Sequence, residues 1–466
     1  MKLEESLERA ISEEAEKLCL RHHAYHNAIA IENNRKSARS KTPRLLRTQR
    51  PAHWSLDKKF DPFYVKKNSN AIARSIARKI AAGTWRPNPP KTAPIPKKGG
   101  GQRAVSIYQI PDAAVSTLFY KRLLAKNRHR FSSFSYAYRN DRNVHFAIQD
   151  ISIELLEAPR LFVAEIDFTK FFDSISHEFL LAQFDSNGFF ISPEERTVIG
   201  AFLPNTGVGV PQGTSVSLFL ANLACWSLDK GFEREGLQFA RYADDTIIWS
   251  RDYAKIGRAF DLLHEFSSKS GVDINYEKSA GISLLCDDSV PSEFAARKSH
   301  VEFLGYAISS KTVSIKADSV LKIKRQISYI LYKQLLQPLM SSPLRAVVIP
   351  ANNRDAALLS AIAEIRRYLY GNLDERMLNS YLRGRSNHIF FRGIMSFYPI
   401  INDVEQMKRL DGWLVDAIFK AVRKREKLLA KHQMPRGYMR HFKASRRDLL
   451  EYCRETDVGG QKALRI

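Results

Sequence analysis

The stretch that decides the fold is Leu237-Gln238-Phe239-Ala240-Arg241-Tyr242-Ala243-Asp244-Asp245-Thr246-Ile247-Ile248-Trp249. Its two ends are apolar and typical of strands, and Tyr-Ala-Asp-Asp lies between them. Neighbouring strand residues face opposite sides of a sheet, so both carboxylates can reach one site only at the bend of a hairpin. Two carboxylates held that close repel each other unless a hard cation binds between them. The sequence therefore predicts a β-hairpin whose Asp244 and Asp245 bind metal.

A third carboxylate is expected from an apolar run upstream, Leu161-Phe162-Val163-Ala164-Glu165-Ile166-Asp167-Phe168. This run is typical of a buried strand and places Asp167 at its C-terminal end. Asp167, Asp244 and Asp245 can then converge as ligands of two Mg²⁺ ions, with Mn²⁺ as a substitute. Two such ions, about 3.5–4 Å apart, activate a 3′-hydroxyl and neutralise a leaving pyrophosphate, which indicates phosphoryl transfer.

Two features lie between these carboxylates in the chain. A helix is predicted to begin within residues 171–180, with Asp173 or Ser174 as its cap, although both Asp167 and Asp173 could be ordinary helix-entry residues. Residues 206–215 read Thr-Gly-Val-Gly-Val-Pro-Gln-Gly-Thr-Ser, which predicts a rigid turn that a ligand or another backbone can approach closely. The apolar run that follows predicts a buried helix too short to span a bilayer.

The order of these motifs resembles motifs A, B and C of reverse transcriptases, and other blocks extend the resemblance over roughly residues 90–310. A basic block resembles the fingers motif that grips a triphosphate, and the next block resembles a second fingers motif that lacks its usual Gly-Phe-Arg-Pro. The blocks are Pro94 to Lys98 with Gln102-Arg103, Phe134 to Arg139, Asp167 to Ile175 (A), Pro211-Gln212-Gly213 (B), Tyr242 to Asp245 (C), Gly271 to Asn275 with Lys278 (D), and Phe303-Leu304-Gly305-Tyr306 (primer grip).

The resemblance implies a role for individual residues. Asp167, Asp244, Asp245 and the backbone carbonyl of Phe168 would hold the metals, and Lys278 would protonate the pyrophosphate. Lys97 and Lys98 could instead only keep a loop soluble, Gln212 could only close a turn, Lys278 could be a surface residue, and Phe172 could be a core residue at the base of the helix. The nucleotide-binding set is Lys97, Lys98, Arg103, Phe172 (a steric gate against the ribose 2′-hydroxyl), Gln212 and Tyr242, and the primer-grip set is Phe303, Leu304 and Gly305.

The fold class implied is α+β, a right-hand polymerase with fingers, a palm of antiparallel sheet and helices, and an α-helical thumb and C-terminal region. Turn-forming stretches and apolar periodicity predict a basic N-terminal extension over residues 1–60, fingers over 61–160, a palm over 161–310 and helices over 311–466. The helices of the last part are expected at residues 321–336, 355–370, 389–398 and 407–429. The first 18 residues predict an amphipathic helix packed on the body or on another subunit, so a homo-oligomer stays open.

The charge indicates a nucleic-acid partner. The 466 residues contain 73 Lys and Arg against 49 Asp and Glu, a net charge of +24 that attracts a phosphate backbone. One basic arm lies at residues 35–50, and another at 420–447 includes Arg423, Lys424, Arg425 and Lys427; either could instead be a solvated basic helix. The four cysteines are scattered without metal spacing, which favours a cytoplasmic protein without disulfides, and no segment suggests a membrane.

The residues after Pro-Gln-Gly suggest a subgroup. Ser215-Val216-Ser217-Leu218 resembles the unknown-group and abortive-infection reverse transcriptases of bacterial antiphage defence, whereas intron enzymes usually continue with Ser-Pro. The resemblance implies an RNA-directed DNA polymerase that uses dNTPs, acts with a noncoding RNA as template or scaffold, and releases a DNA product. A group II intron-like or retron-type enzyme is the alternative within this class. A nucleic-acid-binding or assembly scaffold with little synthesis is the alternative from another class.

Overall fold

The computed structural model describes residues 3–39, 43–96, 100–156, 158, 160–279, 281–287, 289–292, 294–341 and 356–430. The chain divides into two compact units, the first formed by Met1–Ala24 and Gln49–Leu304 and the second by Tyr25–Thr48 and Gly305–Ile466. Helices and a largely antiparallel sheet form the first unit, and helices dominate the second. The predicted α+β class is therefore confirmed.

The first unit surrounds a sheet with helices. Its helices are α1 (Leu3–Arg39, which continues into the second unit), α2 (Pro62–Lys67), α3 (Ser69–Ala81), α4 (Ile110–Asn127), α5 (Val144–Leu156), α6 (Phe171–Ser174), α7 (His177–Ser186), α8 (Pro193–Phe202), α9 (Ser215–Ala224), α10 (Trp226–Arg234) and α11 (Tyr253–Ser270). Its strands are β1 (Lys91–Pro96), β2 (Gln102–Ile107), β3 (Arg160–Ile166), β4 (Gln238–Tyr242), β5 (Asp245–Ser250), β6 (Ile282–Cys286), β7 (Arg297–Lys298) and β8 (Val301–Phe303).

The central sheet has the strand order β4-β5-β3-β6-β7. Strand β3 pairs antiparallel with β5 on one side and with β6 on the other, and β4 and β5 form the predicted hairpin. Ile166 lies opposite Thr246, so the next step along each strand brings Asp167 beside Asp245 at one end of the sheet. The apolar pattern of these strands thus delivers the predicted carboxylates to one place.

Helices cover this sheet with a continuous apolar core. Strand residues such as Phe239 and Ile248 are fully buried in it, together with Phe219 of α9. Leu7 and Ile11 of α1 are also fully buried there, so the predicted amphipathic stripe packs on the body of this unit. None of the helices that the structure describes is long and apolar enough to cross a membrane.

The entry to α7 differs from the prediction. Ser176, not Asp173 or Ser174, is its N-cap and accepts a hydrogen bond from the backbone of Phe179. The backbone explains the shift, because the carbonyl of Ile175 accepts from Gly209 at 2.8 Å and the amide of Ser176 donates to Ser270 at 2.9 Å. These contacts hold the chain in an extended conformation between α6 and α7 and move the helix start.

The second unit is helical around its own apolar core, to which Ile323, Ile362 and Ile418 contribute. The sequence pattern does not predict the helix Glu375–Leu382. The elements are β9 (Tyr306–Ile308), β10 (Val313–Ile315), α12 (Ala317–Leu331) with a π-helical continuation (Tyr332–Leu336), α13 (Gln337–Ser341), α14 (Ala356–Tyr370), α15 (Glu375–Leu382) and α16 (Val404–Ala430).

The helix predicted over residues 389–398 is wrong, since only Ile394–Phe397 form a short 3₁₀ turn there. Gly393 precedes it with a φ of 151°, and a Cβ at that position would lie 2.5 Å from the carbonyl oxygen of Leu369. The segment therefore needs a glycine-specific conformation at its middle, which an apolar pattern does not reveal.

Candidate active site

The turn between β4 and β5 carries two of the predicted metal ligands. Tyr242 pairs with Asp245 across the hairpin, which leaves Ala243 and Asp244 as the central residues. Ala243 has a φ of 61°, a left-handed conformation that glycine usually takes at the first central position of a hairpin turn. Such a conformation costs a non-glycine residue about 1–3 kcal/mol, so the surrounding structure must hold it.

Asp167 lies at the end of β3 and receives polar partners from the chain after α11. Its Oδ2 pairs with Nζ of Lys278 at 2.9 Å and accepts from Nδ2 of Asn275 at 3.1 Å. The hydroxyl of Ser279 also accepts from the Asp167 amide at 3.1 Å. Lys278 therefore lies at the carboxylates, and its hydrogen bond and ion pair with Asp167 raise the pKa of Lys278.

The electrostatics of the two aspartates fit a divalent cation. Burial raises the pKa of Asp244, and the charge of Asp167 raises it further. Asp245 is exposed at the start of β5. Within the described residues, no three acidic, His or Cys side chains are close enough to share a metal ion. The oxygen donors of Asp167, Asp244 and Asp245 are nevertheless the hard ligands that Mg²⁺ prefers, and their mutual repulsion is what a cation relieves.

Phe168 follows Asp167 and is buried. Its neighbours pair with the segment after α11, since Thr169 donates to the carbonyl of Asp273 and Asn275 donates to the carbonyl of Asp167, both at 2.8 Å. This pairing fixes the backbone on both sides of the Phe168 carbonyl, the ligand that the resemblance suggests.

The Pro-Gln-Gly loop lies against both the fingers strand β2 and the segment after β3. Nε2 of Gln212 donates to Oδ1 of Asp173 at 3.0 Å. The backbone carbonyl of Gln212 accepts from the backbone amide of Ser106 at 2.9 Å. Phe172 is half-buried beside this segment, with its ring centroid 5.5 Å from that of Phe171 and 6.3 Å from that of Tyr138. The Pro-Gln-Gly loop is therefore bonded both to β2 and to the segment that carries Phe172.

Arg103 lies in β2 opposite Ile95 and is exposed. Its charge acts on Asp244 and lowers the pKa of that carboxyl, against the stronger effect of burial. Lys97 and Lys98 lie outside the described residues. The clamp predicted for a triphosphate is thus represented by Arg103 alone among its described members.

The remaining predicted residues are spread over both units. Phe303 is buried, and Leu304 and Gly305 have φ values of 49° and 88°, the pattern of a two-residue type I′ turn. On α16, Lys424 and Lys427 are exposed and Arg423 is partly buried beside Glu426.

Arg425 does not fit the predicted nucleic-acid surface. Its side chain is 2 % exposed and donates from Nη1 to the carbonyl of Leu335 at 2.8 Å. A buried guanidinium that serves the core of its unit cannot contact a phosphate backbone. Residue spacing on a basic helix does not show which charge faces inward.

Sequence reasoning missed two residues at the site. Tyr138 has a φ of 58° and contacts Phe172 edge-on, and burial together with the charge of Asp244 raises its pKa to about 12. Arg241 is completely buried next to the Tyr-Ala-Asp-Asp turn. A charged residue inside the apolar strand β4 was a visible signal for Arg241, whereas the positive φ of Tyr138 leaves no trace in the sequence.

The family whose model matches this chain is described as reverse transcriptase (RNA-dependent DNA polymerase), and the match spans residues 95–308. Those residues form a reverse transcriptase domain. This domain contains all the carboxylates, the Pro-Gln-Gly loop and the Lys278 segment described above. The right-hand polymerase fold predicted for the chain is the fold of this domain family.

Relatives are similar to this reverse transcriptase domain over part of their length. Protein YkfC of Escherichia coli K12 is 26% identical over 215 residues, which cover 43% of this chain and 56% of that protein. The Retron Ec86 reverse transcriptase of Escherichia coli is 27% identical over 176 residues, which cover 36% of this chain and 49% of that protein. The chain thus spans about half the length of these curated relatives.

Among solved structures, telomerase from Candida albicans with a fragment of telomeric RNA is similar at 13% identity and a TM-score of 0.39. The similarity covers 83% of this chain and 68% of that one.

Proposed function

We propose that this protein is a reverse transcriptase in activity, an RNA-directed DNA polymerase that adds dNTPs to a primer in the cytoplasm. The observation that carries the proposal is the meeting of Asp167 with the Asp244-Asp245 hairpin inside a reverse transcriptase domain. The contacts of Gln212 with Asp173 and with the backbone of Ser106 support it, because they bring the Pro-Gln-Gly loop beside the segment that follows Asp167, where a polymerase needs a nucleotide site. Burial raises the pKa of Asp244, so the ionised form of this carboxylate is costly to keep for structure alone, which disfavours a scaffold with little synthesis.

The residues divide the work between charge and shape. Asp167, Asp244, Asp245 and the Phe168 carbonyl would hold two Mg²⁺ ions, whose chemistry is to activate the primer 3′-hydroxyl and to neutralise the pyrophosphate. Arg103 would bind the triphosphate through its planar fork. Lys278, released from Asp167 when the carboxylate binds a cation, would donate a proton to the leaving pyrophosphate.

Primer extension by the purified protein tests this activity. An RNA template with an annealed DNA primer should be extended with dNTPs in Mg²⁺, and the same assay with a DNA template and with ribonucleotides defines the preference. Absence of extension on every template and primer, with RNA copurified from cells included, would favour the scaffold.

Phe172 is expected to select deoxyribose. Replacing it with Ala removes the ring that would meet a 2′-hydroxyl, so incorporation of ribonucleotides relative to deoxynucleotides should rise about tenfold or more, a typical size for a changed pocket contact. Competition between dCTP and CTP in primer extension measures the ratio. Phe171→Ala is the control, because its buried neighbouring ring should affect stability and leave the ratio unchanged. An unaltered ratio in active Phe172→Ala protein places the gate elsewhere.

We also propose a dedicated noncoding RNA as the partner, on the strength of the net charge of +24 and the exposed lysines of α16. The Lys424→Gln/Lys427→Gln protein should bind this RNA with a shallower dependence on salt, by about 0.7 in the log–log slope for each phosphate that is no longer neutralised. Filter binding at several salt concentrations measures the slope. Lys408→Gln/Arg409→Gln, at the other end of α16, removes equal charge as a control. If the two variants show the same salt dependence of RNA affinity, the RNA must bind at the N-terminal arm or the palm instead.

The biological role proposed is antiphage defence through DNA synthesis. The sequence Ser215-Val216-Ser217-Leu218 supports the defence role. The similarity to a retron reverse transcriptase supports the retron-type alternative. A host carrying the gene with its flanking sequence should resist some phages of a broad panel, and the Asp244→Asn locus should not. Equal protection by both loci, or none by the wild type, ends the polymerase-driven defence proposal and leaves the activity proposal standing.

A further inference from the structure

A buried arginine lies directly behind the catalytic turn. Arg241 ends the apolar part of β4, its side chain is 0 % exposed, and its guanidinium has five N–H donors. The structure shows a partner for every one. The bonds are Nε to Oδ1 of Asp229 (2.7 Å), Nη2 to Oδ2 of Asp229 (2.6 Å), Nη2 to Oγ of Ser135 (2.8 Å), Nη1 to Oδ1 of Asn222 (3.3 Å) and Nη1 to the carbonyl of Ala243 (3.0 Å).

Stability does not explain this arrangement well. A buried ion pair gains little over a well-packed apolar core, because the cost of desolvating two charges offsets their attraction. Burial opposes the charge of both partners and raises the pKa of Asp229, whereas the attraction of neighbouring groups, with Asp229 foremost, keeps the pKa of Arg241 above its ordinary value. The pair instead fixes the orientation of the guanidinium, because Nε and Nη2 of this planar group both donate to Asp229.

The fixed guanidinium reaches the strained residue of the turn. Its Nη1 bonds the carbonyl of Ala243, the residue with a φ of 61° and the immediate neighbour of Asp244. Alanine adopts this backbone conformation only where surrounding contacts impose it. The hydrogen bond from Arg241 is such a contact, and it acts on the peptide group that joins Ala243 to Asp244.

The same network reaches the segment Phe134 to Tyr138. The Arg241 amide donates to the carbonyl of Phe134, and its own carbonyl accepts from Tyr136, both at 2.9 Å. Asn222 in turn donates to the carbonyl of Ala137 at 2.8 Å. These bonds hold the segment that leads into Tyr138, the ring that contacts Phe172. The catalytic turn and the segment that leads into Tyr138 therefore share Arg241 as a common anchor.

We propose that Arg241 is a positioning residue that holds the Ala243-Asp244 peptide in the orientation needed for cation binding, with Asp229 as the anchor of its guanidinium. This inference rests on the proposed polymerase activity for its kinetic consequences. Its structural core, that Arg241 sets the affinity of the carboxylates for a divalent cation, stands independently of the reaction.

The Arg241→Lys protein tests the proposal, because lysine keeps the charge beside Asp229 and lacks the fork that reaches Ala243. Mn²⁺ affinity, measured by electron paramagnetic resonance, should fall about 10–100-fold, the usual cost of losing a residue that orients a metal ligand. In primer extension kcat should fall by a similar factor, KM for dNTP should change much less, and the Mg²⁺ concentration for half-maximal rate should rise. Thermal unfolding verifies that the protein is folded at the assay temperature.

A second substitution separates positioning from a merely structural role. Glycine adopts a φ of 61° without steric cost, so adding Ala243→Gly to Arg241→Lys should restore at least severalfold of the lost Mn²⁺ affinity. Ala240→Gly is the matched control, since Ala240 is a fully buried alanine of the same strand without a positive φ. It should restore nothing.

Unchanged Mn²⁺ affinity in folded Arg241→Lys protein overturns the proposal, and so does equal recovery, or no recovery, in the two double variants. Should Arg241→Lys fail to fold, the neutral pair Arg241→Gln/Asp229→Asn removes both charges together and takes the same measurements. A wild-type protein that binds Mn²⁺ and adds no nucleotide would refute the proposed function, and the Mn²⁺ titrations would still decide the role of Arg241.

Discussion

The Asp244→Asn protein is expected to fold like the wild type and to lose nucleotide addition by at least about a hundredfold, since even residues that only orient metal ligands cost about 10–100-fold when changed. Asparagine keeps the size and the turn preference of aspartate and removes the charge that a divalent cation requires. Burial raises the pKa of Asp244, so the ionised carboxylate destabilises the folded state. Removing this charge should therefore not lower the melting temperature. Single-nucleotide incorporation and thermal unfolding measure the two effects.

Asp261→Asn is the matched control for that variant. Asp261 is an exposed carboxylate on α11 that pairs with Arg258 at the helix surface, and such pairs contribute little. Its substitution should leave both the rate and the melting temperature within experimental error. DNA synthesis at the wild-type rate by Asp244→Asn protein would remove Asp244 from the catalytic machinery, and with it the central argument for polymerase activity.

The sequence was sufficient for the parts of the site that depend on local patterns. Alternation and apolar runs predicted β3 and the β4–β5 hairpin, and the register of these strands then determines that Asp167 lies beside Asp245. The fold class also followed, because a series of motifs in the right order leaves few folds to consider. These strands and their turn are determined by interactions among residues that are close together in the sequence.

The parts that the sequence did not predict depend on partners far apart in the chain. Arg241 bonds Asp229, which is 12 positions away in the chain, and Ser135, which is 106 positions away. The residues around Arg241 do not indicate either partner. The start of α7 moved for the same reason, since Ser270 and Gly209 hold the backbone that precedes it. Arg425 belongs to this group too, because whether a helix residue faces the core depends on which helices pack around it.

Lys278 shows how motif and geometry combine. The resemblance suggested that Lys278 protonates the pyrophosphate, and its ion pair with Asp167 brings its ammonium to one of the proposed metal ligands. A cation that binds Asp167 competes directly with this ion pair. The ammonium of Lys278 would then be free to turn toward a pyrophosphate, which would link cation binding to the supply of a proton.

Gly213→Ala is expected to damage both the stability of the fold and the proposed nucleotide addition. Gly213 has a φ of 121°, and a Cβ there would lie 2.2 Å from the carbonyl oxygen of Ser106 in β2. Backbone strain and overpacking together should lower the free energy of unfolding by about 2–4 kcal/mol. The loop and β2 carry Gln212 and Arg103, so a shift of about 1 Å between them should lower kcat/KM for dNTP by about a hundredfold. Denaturant unfolding and steady-state kinetics measure these losses.

Gly257→Ala provides the comparison that isolates the cause. Gly257 lies within α11 without a positive φ, and a Cβ there would meet nothing within 4 Å, so alanine should stabilise the protein by about 0.5–1 kcal/mol and leave the kinetics alone. Opposite signs for the two glycine substitutions would show that the close approach of the Pro-Gln-Gly loop to β2 is what Gly213 serves. Wild-type stability together with wild-type kcat/KM in Gly213→Ala protein would mean that the loop does not approach β2 this closely, and that Gln212 and Arg103 are not aligned through it.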